Sequence, residues 1–151
     1  MTGMPPRGVL ASVANLSAHE RLFAWAIRAW AANHTDLSSV WWSLDRAFTE
    51  EGIPLALPSF HDAMSTLFAG LTRWPDIRCV GCPHLGDDEL RLLDLLAALQ
   101  QGNEVVARSC LRDLVLPAAA RAVCRHATEC AHQVRTSGIT FERVTDATRC
   151  S

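Results

Sequence analysis

A chain of 151 residues, 49% hydrophobic and 20% charged, carries enough apolar material to close one core and lies far from the composition of disordered proteins. Fourteen basic residues against sixteen acidic ones leave a formal charge of −2, which gives no electrostatic footing on a nucleic-acid backbone, and no apolar run reaches the roughly 18–20 residues of a bilayer span. All the basic residues are arginine and tyrosine is absent, a bias that reads as a GC-rich bacterial genome rather than the mark of a site.

Residues 1–16, with adjacent prolines followed by small residues, read as a flexible leader, and they make a poor secretory signal because Asn15 interrupts the apolar stretch. Helical signals begin at Ser17, where Ser17-Ala18-His19-Glu20 has the form of a capping box. Behind it Phe23, Ile27 and Trp30 adjoin Leu22, Ala26 and Ala29 in two apolar stripes as far as about His34. A second helix is predicted from Leu37 or Ser38 to Glu51, with Val40, Trp41, Leu44, Ala47 and Phe48 inward. Trp42 falls on its other face beside Asp45, Arg46 and Thr49, either packed under the connection 53–58 or left outward for a partner. Ser59 is the expected cap of a third helix, with Asp62 at its N3 position, ending near Thr72 or Arg73 ahead of Pro75. Residues 74–86 form the one long irregular stretch, with room for a short extended piece at 77–80.

The fourth helix, around 87–101, is Leu-rich and opens on Asp87, Asp88 and Glu89 at the positive end of its dipole. Its polar stripe is only Arg91, Asp94, Ala98 and Gln101, so it is expected at the centre of the domain. Asn103 caps a fifth helix carrying Val106, Ala107, Cys110, Leu111 and Leu114 inward, and Pro117 opens an Ala-rich sixth that runs to about Arg135. Thr140, Phe141 and Val144 suit a short strand or an arm. The expectation is an all-α single compact domain of about six helices, orthogonal or bundle-like, over 17–138, with 139–151 as a C-terminal tail or arm.

Six cysteines in a chain with a full apolar core read as reduced thiols, and the expected compartment is cytoplasmic. The most chemical motif is Cys79-Val80-Gly81-Cys82-Pro83-His84. Two thiolates at this spacing can chelate one tetrahedral zinc ion from a tight turn, and His126 and Cys130, four apart on the sixth helix, can supply the other two ligands. The same motif suits a thiol-redox site, although the strand before the dithiol that usually supports one is missing. Pro83 stands where covalent haem attachment needs His. His61-Asp62 and His34-Thr35-Asp36 place imidazoles beside carboxylates, but adjacent helical residues do not face one another. There is no nucleophile elbow, phosphate-cradling glycine loop or helical H-E-x-x-H, so enzyme is the minority reading. Arg121, Arg125 and Arg135 form one basic stripe, read as a solvated face.

The leading functional expectation is a non-enzymatic accessory or regulatory module acting through a protein partner or self-association as a homodimer. It rests on a mean hydropathy of +0.09 and on five tryptophans. Its surface is expected around Trp42 and Arg46 with part of the first helix, with no nucleic acid and no membrane as partner. The alternatives are a metal- or redox-responsive protein using Cys79 and Cys82, with no cofactor or one zinc ion, and a binder of small apolar ligands between Met64, Phe68, Leu93 and Leu96.

Overall fold

Ser17 caps the first helix as its sequence pattern predicts: its hydroxyl accepts from Glu20 N–H at 3.2 Å, and the Glu20 carboxylate accepts from Ser17 N–H at 2.9 Å. In the computed structural model, which describes residues 11–142, the chain then folds as six α-helices. They are α1 (Ala18–Ala32), α2 (Ser38–Glu50), α3 (Ala56–Ala69), α4 (Asp87–Gln100), α5 (Glu104–Leu111) and α6 (Pro117–Thr136). One 3-10 turn, Val13–Asn15, precedes them, and the β pairing among the described residues is two isolated bridges, Ser12 with His84 and Leu71 with Val115. The architecture is a single all-α domain around one core.

α4 is the middle of that core, with every residue from Leu92 to Ala98 buried. The middle of the predicted polar stripe is covered too, since Asp94 is buried and Ala98 has no exposed surface, while Arg91 is half-buried and Gln101 exposed at its ends. Two further boundaries differ from expectation. α3 begins at Ala56 rather than Ser59: Pro58 falls in the first turn, where its missing N–H has no intrahelical partner to lose, and the buried Ser59 hydroxyl donates to Ala56 C=O. α5 ends at Leu111, because Asp113 adopts φ +65° and turns the chain, so Leu114 enters the core from the connection.

The end of α3 is set by close approach to α6. A Cβ on Gly70 would collide with the Cβ of Ala119, so Gly at 70 and Ala at 119 let the helices nearly touch. Beyond Gly70 the chain leaves helical geometry and pairs with 114–116, through Thr72 N–H to Leu114 C=O and Leu116 N–H to Gly70 C=O, both 2.9 Å. Residues 77–80 form no strand.

Both ends of the described chain are fastened to the helices. Val13 N–H donates to Pro83 C=O at 2.9 Å and Leu85 N–H to Ala11 C=O at 2.8 Å, so part of the predicted leader is paired with the long loop. At the other end the Gln100 amide donates to Ile139 C=O and accepts from Phe141 N–H at 2.7 Å. That seats Phe141 edge-on against Phe23, with ring centroids 5.3 Å apart, as an arm. Residues 1–10 of the leader, and Val144 with the rest of the tail, lie outside the described residues. No helix is long and apolar enough to cross a membrane among the described residues.

Candidate functional site

The C-x2-C segment rests on a buried ion pair that its own residues do not reveal. Arg28 projects from α1 into the core, 4% exposed, and its guanidinium meets the fully buried Glu89 carboxylate at 2.5 and 3.1 Å. Its remaining donors reach Cys82 C=O at 2.7 Å and His84 C=O at 2.8 Å. Glu89 also accepts from Gly86 N–H at 2.6 Å, closing the first turn of α4. A buried pair repays its desolvation only with further hydrogen bonds, and here the two loop carbonyls and the Gly86 N–H supply them. The result fixes the Cys82 end of the loop to α1 and α4.

A second network fixes the other end. Asp88 accepts two bonds from Arg73, at 2.7 and 3.0 Å, and one from Asp76 N–H at 2.6 Å. Burial alone would raise the Asp88 pKa, but the Arg73 and Asp76 hydrogen bonds and the charges of Arg73 and Arg91 outweigh it and hold the carboxyl below its ordinary value. The Asp76 carboxylate in turn accepts from Asp87 N–H at 2.9 Å and Arg78 Nε at 2.9 Å. A side chain at Gly86 would strike Asp76, which is why glycine stands at the start of α4. The three acidic residues that the sequence offered as dipole partners thus include two that clamp a loop.

The four proposed zinc ligands are not gathered. Cys79 is exposed and Cys82 half-buried in the loop, whereas Cys130 is buried between α6 and α3 with Ser59 as its hydrogen-bond partner. Burial pushes the Cys130 thiol up to about 12, the property of a packing residue rather than a thiolate ligand. His126 is half-buried on α6, and among the described residues no three His, Cys, Asp or Glu side chains stand close enough together to hold a metal ion. The helical i, i+4 spacing of His126 and Cys130 was real, but it points one of them into the α3–α6 contact. The residues considered for an apolar pocket are placed as packing: Met64, Leu93 and Leu96 are buried in the core, and Phe68 is half-buried.

Aromatic side chains form a continuous band across α1, α2 and α3. Trp41 meets His61 edge-on at 5.2 Å, and Trp30 Nε1–H donates to His61 Nδ1 at 3.1 Å. Trp30 contacts Phe68 at 5.0 Å, and Phe68 contacts both His34 and Trp74, at 5.2 and 5.8 Å. At one end Trp42 is 66% exposed and at the other Trp74 is 67% exposed. Trp42 is therefore not packed under the connection 53–58. Arg46 lies over its ring, 5.3 Å from the centroid, and pairs with Glu50 at 2.9 Å. Leu37, Trp41, Trp42, Asp45 and His61 line an open groove of about 830 Å³ at this end. His61 and His34 are thus engaged with aromatic rings, and Asp36 caps Ser38 instead of pairing with His34.

A second cleft, about 490 Å³, lies between α5 and α6, with Arg108, Arg121 and Arg125 on its rim and Leu99, Ala107 and Cys124 among its walls. Arg135 departs from the predicted stripe, donating to Gln100 C=O at 2.8 Å. No known protein family, curated protein or solved structure matches this chain.

Proposed function

We propose that the chain is a non-enzymatic accessory module that works by self-association, two copies meeting through the face around Trp42. The observation that carries this reading is a tryptophan two-thirds exposed at the rim of an open groove whose wall is a second tryptophan, Trp41. Exposed aromatics backed by a packed aromatic layer are the side chains that dominate protein contacts, because they bury large area at little entropic cost. Trp41 and His61 supply that layer, and the ring of Trp42 is already presented by Arg46.

A second copy is the occupant argued for because the face is self-complementary in charge. Asp45 and Arg46 put charges of both signs beside Trp42, Arg46 being paired with Glu50 within the chain, and a two-fold axis that runs between them in the plane of the face would set the acidic side of one copy against the basic side of the other. We place the module in the cytoplasm, a reading supported by Cys110 and Cys130 being packed in the core as thiols.

Sedimentation equilibrium from low to high micromolar concentration tests this. A monomer–dimer equilibrium is expected, weakened about 30-fold in Trp42→Ala, the size of a hot-spot truncation. A single monomeric species at the highest concentration, unchanged by the substitution, would overturn the reading.

A further inference from the structure

Cys79 and Cys82 take no part in the contact proposed above. They occupy the first and last positions of a four-residue turn closed by a 3.1 Å hydrogen bond from Cys82 N–H to Cys79 C=O. Gly81, third in that turn, has φ +95°, the left-handed geometry that a type II turn requires at this position. A turn closed in this way brings its end Cα atoms within about 7 Å, and a disulfide spans about 4.4–6.8 Å. The turn is not a free surface loop, because Arg28, locked on Glu89 in the core, holds the carbonyl of Cys82 itself and that of His84 two residues on. Both thiols are free, Cys79 exposed and Cys82 half-buried.

We propose that Cys79 and Cys82 form a reversible dithiol–disulfide couple that exchanges with low-molecular-weight disulfides. Cys79, the exposed member, gives its proton to water and its thiolate attacks one sulfur of the small disulfide. That S–S bond breaks, and the departing thiolate takes up a proton. The Cys82 thiolate then attacks Cys79 Sγ in the mixed disulfide, forms the internal bond and expels the second small thiol. Two electrons and two protons leave the chain, and the small disulfide departs as two thiols. The other described cysteines are poor competitors: Cys110 and Cys130 are buried, and burial raises the thiol pKa of the half-buried Cys124 as well as that of Cys130.

The full chain, equilibrated across a range of ratios of reduced to oxidised glutathione, acid-quenched and alkylated, tests the couple by peptide mapping. The expected product is a disulfide within the single tryptic peptide that holds both cysteines, rising with oxidised glutathione and reversed by excess reduced glutathione. Cys82→Ser is expected to trap glutathione on Cys79. Gly81→Ala adds a Cβ that meets nothing within 4 Å, and the strain at positive φ opens the turn in the dithiol form, which the disulfide must then close again, so the closure constant falls about fivefold. Cysteines 79 and 82 that both stay alkylatable throughout, or glutathione on Cys79 without any internal bond, would overturn the proposal. An unchanged constant in Gly81→Ala would remove its geometric basis with the same effect.

Discussion

Arg28 is the residue on which the long loop depends, and its cost is visible in what it needs: one carboxylate, two carbonyls and a place inside the core. Removing one member leaves the other charge buried without its partner, so Arg28→Ala and Glu89→Ala are each expected to lose about 3–5 kcal/mol in urea unfolding. The double variant Arg28→Met with Glu89→Leu is expected to lose less than either, since no uncompensated charge remains. Losses that simply add would contradict the pairing. Asp88 gives a pH signature of the same loop. Its folded pKa is depressed, so its stabilisation is present above the unfolded value of about 4 and disappears as pH falls through the folded value. The wild-type urea midpoint is therefore expected to fall more steeply between about pH 5 and pH 2 than that of Asp88→Asn. Parallel curves would show that Arg73 and Asp76 N–H do not hold the carboxylate as described.

Element by element, the helices were legible because each depends on signals within a few residues of itself: the Ser17 capping box, Asn103 at the start of α5, Pro117 at the first turn of α6. The misplaced start of α3 shows where local signals mislead. Ser59 is a good cap in isolation, but Leu57 and Phe60 are wanted in the core, and burying them draws the helix three residues earlier through Pro58. The closest contact between elements is likewise invisible in one segment, since Gly70 matters only because Ala119 lies against it. Gly70→Ala is expected to push α3 from α6 and cost about 1–3 kcal/mol in thermal unfolding, with Ala119→Gly in the same chain recovering part of that loss. Two additive losses would mean that the helices do not meet at this point.

For the molecule as a whole, the fold class followed from composition and periodicity, while the clamps did not. Arg28 and Glu89 are 61 positions apart, and an arginine among the alanines of α1 looks like a solvated residue until the partner is seen. Helical spacing gives no warning, because Arg28 falls two turns beyond the exposed Arg21, on the side of α1 that also carries the exposed Ala18 and Ala32. The Cys79-x2-Cys82 motif was found at once, but its proposed zinc partners failed because Cys130 serves the α3–α6 contact, not the loop. The exposure of Trp42 is one of the two placements its sequence position leaves open, since position 42 falls opposite the core stripe of α2 and only the fold shows that the connection 53–58 does not cover it. If two copies meet there, the thermal unfolding midpoint rises with protein concentration, and this dependence is absent in Trp42→Ala. A midpoint independent of concentration in the wild type would separate the tryptophan face from any role in assembly.

The separation of Arg28 from Glu89 along the chain also sets a time order. Most helix-forming contacts here are local and can be made early, but the guanidinium can be desolvated only once α1, α4 and the loop have all arrived, so the clamp closes last. Interactions absent from the folding transition state govern how slowly the native state opens rather than how quickly it forms. Arg28→Ala is thus expected to speed unfolding while leaving the refolding rate nearly unchanged in stopped-flow denaturant jumps. The buried pair is in this sense a latch on the finished molecule, setting the lifetime of the loop that carries the two thiols.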